Sequence, residues 1–237
     1  MQLFFKEFIK IGLFFVLFCP KPSVAQNCKN YAPDRFGTEW QITNFNKKGI
    51  LQSTTEAKIV SLKTVDSTGL EAVVEQVFLD KKDQETGVSN YKFRCQNNAI
   101  FVELPGVLPP QILGAYQNLD LVSSGKPVEF PEKMEAGQFL PEATIEMQAR
   151  SGSLIVSKMV FLMTKRQVTG RETVNTMAGD FDCLKIEYDL ESRFGAVVVK
   201  RKCKLWIAEN VGMVKSESYK KGKLEGSQQL TAFRLKR

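Results

Sequence analysis

The 237-residue chain contains no histidine. That absence removes Ser-His and Cys-His nucleophilic pairs and any zinc site built on imidazole. There is no G-x-S-x-G elbow and no Gly-rich phosphate loop, so the usual backbone cradles for an activated serine or a nucleotide are missing too. No apolar run approaches the roughly 20 residues that a spanning helix needs. Low-complexity tracts and clean repeats are lacking as well. The carboxylates Asp180 and Asp182 sit together at a turn, whereas a glycosidase needs two that face each other across a cleft. They read as solvated turn residues. No enzyme, metal or cofactor is expected.

What is present begins with a leader. Lys6 and Lys10 precede the short apolar core Ile11–Phe18, Pro20 and Pro22 end it, and Ser23-Val24-Ala25 supplies small residues. This pattern reads as a secretory signal peptide, residues 1–25, cut after Ala25. The apolar core is too short to favour an uncleaved anchor. Phe18 is too large for the position before a lipid-modified Cys19. The expected location is the periplasm or cell envelope, with no transmembrane segment once the leader is gone. Residues 26–237 are expected to form one β domain, with 37–105 and 128–237 as candidate half-barrels.

Formal net charge is +7, and the basic residues gather late, in Lys200-Arg201-Lys202, Lys220-Lys221 and Arg234–Arg237. Such strands read as a lysine-protected sheet edge or as a contact for anionic headgroups or acidic glycans. Nucleic acid is not expected, because no recognition module accompanies the charge. Beyond the leader lie Cys28, Cys95, Cys183 and Cys203, enough for two disulfides in an exported chain. Cys28 is expected to tie the mature N-terminus to Cys95. Cys183 and Cys203 flank a turn at 192–196 and form the weaker expected pair, since their side-chain alternation puts them on different faces unless a bulge intervenes.

Most of the chain alternates. Leu184, Ile186, Tyr188 and Leu190 share one face against Lys185, Glu187 and Asp189, which is a half-buried strand. With 166–176 and the turn at Ala178-Gly179-Asp180 it makes a hairpin. Further strands are expected at 39–45, 50–66, 70–79, 88–95, 99–104, 144–150, 153–164, 196–207, 213–220 and 224–235. Segment 153–163 is apolar enough for a helix, but its β-branched and aromatic content favours a strand. The period changes once: Ile112, Leu113, Tyr116 and Leu119 fall at helical spacing after a Pro pair, so 111–119 is expected as a short helix. Segments 128–131 and 137–141 read as a Pro- and Gly-marked linker. The expected fold is mainly β, a curved antiparallel meander sheet or incomplete β-barrel with one short helix.

Motifs spread along the chain carry a resemblance. They are Tyr31…Gly37-Thr38, Lys48-Gly49, Tyr91…Cys95, Phe130-Pro131…Gly137–Ala143, Gly170-Arg171-Glu172, Ala178–Ile186, Trp206 and Val211–Glu217. In these the chain resembles the TapB-like proteins of the Gram-negative envelope. The resemblance implies an all-β exported fold like the periplasmic lipoprotein carriers, and it brings no catalytic residues with it. Two functions follow as expectations. One is a non-catalytic protein-binding or assembly module of the envelope, working through strand edges. The other is a carrier of a lipid or other apolar ligand inside the curved sheet, with Ile112, Leu113, Tyr116 and Trp206 as candidate ligand-facing side chains.

Overall fold

The computed structural model describes residues 31–65, 69–103 and 119–236. The signal peptide, Cys28 and the ligand-facing candidates Ile112, Leu113 and Tyr116 lie outside them, as does nearly all of the expected helix 111–119. The described residues contain no helix, and so none that is long and apolar enough to cross a membrane.

Thirteen strands follow one another: β1 Glu39–Asn46, β2 Leu51–Val65, β3 Gly69–Asp80, β4 Glu85–Gln96, β5 Ala99–Val102, β6 Asp120–Lys126, β7 Val128–Pro131, β8 Ala143–Ser151, β9 Leu154–Thr176, β10 Gly179–Phe194, β11 Val197–Ala208, β12 Gly212–Lys220 and β13 Lys223–Arg234. All belong to one antiparallel sheet in the order β6-β8-β9-β10-β11-β12-β13-β1-β2-β3-β4-β5-β7. The expectation of an open meander or incomplete barrel with a helix is therefore corrected to a single, nearly closed 13-stranded barrel. Strands from 37–105 and from 128–237 share this one sheet, with β1 paired to β13 along the whole length of β1.

Closure comes from the two outermost strands. β6 pairs with β8 through Asp120↔Arg150 to Lys126↔Thr144. After the single residue Pro127 the chain resumes as β7, which pairs with β5. One path thus leaves one edge of the sheet and joins the other. Proline fits there because it has no N–H to offer a ladder. Gly125 is required beside it: its φ is +113°, and a Cβ would lie 2.1 Å from the Thr144 carbonyl oxygen. Segment 128–131, expected as linker, is a strand whose Val128 and Phe130 are buried.

The interior is filled by alternate residues. Ala143, Ile145, Met147 and Ala149 are buried along β8 with partly exposed residues between them. The first three of these join Ile59 and Val74 from β2 and β3, Phe93 and Ile100 from β4 and β5, and Met159, Val168 and Ile186 from β9 and β10 in one cluster. Side chains from opposite ends of the strand order can meet only if the sheet curls upon itself.

The long strand β9 absorbs two expected strands. They are joined by a bulge at Lys165, where φ is +52° and the pairing steps from Asp189↔Thr164 to Glu187↔Gln167. The extra residue kinks the strand and shifts which side chains face inward. The late basic strands are not edges either. β11, β12 and β13 sit mid-sheet.

Candidate functional site

Because the strands alternate in direction, every second turn lies at the same end of the barrel. One end carries the turns at 47–50, 81–84, 152–153, 195–196 and 221–222. The other carries those at 97–98, 177–178 and 209–211, and there residues 31–33 pack close. Tyr31 and Ala32 are buried in the main core, and the Tyr31 carbonyl lies 3.3 Å from where a Cβ on Gly212 would be.

Toward the first end the interior is hollow. A cavity of about 590 Å³ is lined by residues of β1, β2 and β9 to β13, a size within the usual range for small-molecule sites. Its lining is two-sided. Phe161, Met163, Tyr188, Leu190 and Phe194 form an apolar wall that continues into the main core. Phe161 and Phe194 meet edge to face at 5.8 Å. Facing them, Asn44, Ser216, Ser218 and Gln228 from β1, β12 and β13 bring polar groups.

Those groups are held in place. The Gln228 amide donates to Asn44 Oδ1 at 2.6 Å and its carbonyl lies 2.9 Å from the Ser216 hydroxyl. Arg201 Nε donates to Glu225 Oε2 at 2.6 Å, so these two charges neutralise each other at the cavity wall, and the second lining carboxylate, Glu217, pairs with Lys215 at 2.7 Å. Small and polar residues on β12 and β13 are the reason the end is hollow, since serine and glycine leave unfilled the volume that Leu or Phe fill elsewhere.

Beneath the apolar wall lies a buried arginine. The bulge at Lys165 turns Arg166 inward to 2% exposure. Its guanidinium donates to the Pro141 carbonyl at 2.5 Å and to the Glu129 carbonyl at 2.9 Å, and it stacks 5.1 Å from the Phe130 ring centroid. Desolvation lowers its pKa to about 10. Among the described residues no carboxylate forms an ion pair with it, and carbonyl dipoles and a ring face carry the charge. It ties β9 to β7 and to the residues after β7, across the barrel closure. Sequence reading did not single out this residue.

The cysteine expectations divide. In the β10–β11 ladder Cys183 stands opposite Ala208 and Cys203 opposite Tyr188. The two are five rows apart, roughly 16 Å along the strands, whereas bridged Cα atoms lie within about 7 Å. Both are free and buried, which overturns the Cys183–Cys203 disulfide. Cys203 lines the cavity. Cys183 packs on the other face with Val174, Trp206, Ala208 and Val214. Burial pushes each thiol up to about 11. Cys95 is buried on β4; its expected partner Cys28 is outside the described residues.

Trp206 is 5% exposed in that second cluster and does not line the cavity. Its indole N–H donates to Glu172, and the Lys215 and Lys185 ammonium groups lie 4.8 and 5.4 Å from its ring. Asp180 and Asp182 serve their own hairpin. Asp180 accepts from Asn175, and Asp182 pairs with Arg171 at 2.7 Å.

Fold and site together define a nearly closed antiparallel β-barrel with a two-sided cavity at one end. The chain belongs to the DUF3108-like family, whose model matches residues 35–230. It is also similar in structure to a candidate lipoprotein from Parabacteroides distasonis ATCC 8503, with 22% identity and a TM-score of 0.76 over 88% of this chain and 100% of that one. A candidate exported protein with YmcC-like fold from Bacteroides fragilis NCTC 9343 gives 21% identity and 0.76 over the same shares. These likenesses establish the fold. None of the curated proteins matches the chain.

Proposed function

We propose that this chain is an exported, non-catalytic envelope protein that holds one amphiphile in its barrel. The ligand's apolar body lies against Phe161, Met163, Leu190 and Phe194, and its polar end lies toward Asn44, Ser216 and Gln228. The observation that carries this reading is the two-sided lining of the cavity. A preformed apolar wall with a few fixed polar groups is what a ligand with one greasy and one hydrogen-bonding end requires. Export is supported by the leader pattern, and the two solved neighbours are themselves named as a candidate lipoprotein and a candidate exported protein. The narrower TapB-like assignment belongs to this proposal and rests on the turn and core residues that carry the resemblance.

The test is titration with a fluorescent long-chain fatty acid. Ser218→Phe places a ring in the cavity volume that the ligand would occupy, so binding is expected to weaken about tenfold or more, about 1.4 kcal/mol, with little change in folding because the cavity has room for the ring. Identical titrations of both proteins, or no saturable binding by either, would remove the reading.

A second reading has its own observation. β5 covers β4 only along Phe93–Gln96, so among the described residues the outer edge of β4 from Glu85 to Tyr91 lacks a partner strand. A protein partner could add a strand there. The backbone of even-numbered β4 residues faces that edge, as the Glu103 N–H bond to the Lys92 carbonyl shows, so proline at Asn90 would block such an addition, and capture of the same envelope proteins by wild type and Asn90→Pro would exclude it.

A further inference from the structure

We infer that the cavity end of the barrel is a docking surface for an anionic lipid bilayer. The inference deepens the amphiphile reading by naming where the ligand is taken up, but it rests on other residues. Around that end the hairpins follow in the order β8–β9, β10–β11, β12–β13 and β1–β2. The first two carry bare apolar side chains. Leu154 is 67% exposed and Val197 60%, with Ile155, Val156 and Val198 exposed beside them. The next two carry lysines: Lys220, Lys221 and Lys223 on one, and Lys47 and Lys48 on the other, all exposed. None of these five takes part in an ion pair among the described residues, although lysines and arginines farther along the strands do, as Lys58 with Glu39 and Lys204 with Glu187.

The carboxylates near this end are largely engaged. Glu191 faces Arg193 and Lys200, Glu225 faces Arg201, and Asp80 accepts the backbone N–H groups of Lys82 and Gln84. Among the described residues Asp83 and Glu85 at the β3–β4 hairpin and Asp120 at the start of β6, opposite Arg150, are exposed without an ion pair. At the opposite end the described turns carry exposed Met177 and Glu209, and the segments flanking β1 and β13 there add exposed Phe36, Leu235, Arg35 and Lys236, with no hollow interior beside them among the described residues.

Apolar hairpin tips beside an unpaired basic arc complement the interface of a membrane bearing anionic headgroups, where apolar side chains enter the acyl boundary and each lysine adds electrostatic attraction. A protein partner with an apolar patch would match the tips but leave the five lysines without counter-charge. The cavity is lined by Phe45, Phe194 and Val199, next to these same turns, so docking would put its entrance at the bilayer.

Vesicle co-sedimentation of the full processed chain tests this. The probes are phosphatidylglycerol–phosphatidylethanolamine vesicles and, in parallel, phosphatidylcholine vesicles. Binding is expected on the anionic vesicles only, to weaken as salt rises, and to fall about tenfold or more on Lys221→Glu with Lys223→Glu. Ile155→Ser with Val197→Ser is expected to weaken it as well, and Met177→Ser at the far end to leave it unchanged. All these variants are expected to bind free fluorescent fatty acid as wild type does, which separates loss of docking from loss of the cavity. Equal binding to both vesicle types, no binding to either, or a concentration-dependent dimer abolished by Ile155→Ser with Val197→Ser would each overturn the inference.

Discussion

Arg166 shows how one side chain can hold the closure of a barrel. Its charge is buried without a carboxylate partner among the described residues, and one backbone carbonyl in β7 and one in the segment after it share it. Arg166→Ala leaves both carbonyls unpaired and opens a cavity, and is expected to cost about 3 kcal/mol in urea denaturation. Arg166→Met fills the space without the desolvation penalty, and is expected to cost about half as much. The free thiols make a prediction in pH. Burial raises Cys183 and Cys203 from 9.0 to about 11 in the folded protein. A folded thiol that keeps its proton longer than the unfolded one contributes full stability below about pH 9 and loses it as pH climbs through 11. Wild type is therefore expected to lose more stability over that window than Cys183→Ala with Cys203→Ala. Arg166 was not legible in the sequence because its inward aim depends on the bulge at Lys165, a non-glycine residue at positive φ. Alternation counted straight through Lys165 gives the wrong face.

At the level of the strand, the readable elements were those with one wet and one dry face. β8 and β10 show their alternation in the residues themselves, and the hairpin joining β9 to β10 turns at Met177-Ala178 with Gly179 at φ +126°. β6 and β7 were not legible. DLVSSGK is exposed along nearly its whole length, and VEFP is four residues ending in proline. Their strand character comes from the ladders with β8 and β5, not from their own pattern. The Cys183–Cys203 pairing failed for a related reason: symmetry about a turn fixes only rows, and these two cysteines occupy different ones. The closure makes its own prediction. Gly125→Ala would press a methyl into the Thr144 carbonyl from a left-handed backbone, and it is expected to destabilise by about 2 kcal/mol or more. Amide exchange is expected to rise first in β6 and β8, since their ladder is the one broken.

For the whole molecule, the amino-acid pattern sufficed for an all-β chain of hairpins, but not for the closing of the sheet. Whether a meander stays open depends on how its ends meet, and here they meet through Pro127. Nor could alternation say whether the interior is filled. Filling depends on side-chain volume summed over strands distant in sequence, and the serines of β12 face the aromatics of β9 and β10 only once the barrel has formed. The cavity is the central claim, and native mass spectrometry of the protein purified from its native source tests it most directly. Wild type is expected to carry one bound amphiphile that survives gel filtration, and Ser218→Phe, purified in parallel, is expected to carry none. A bare polypeptide mass for wild type, or the same adduct on both proteins, would contradict it.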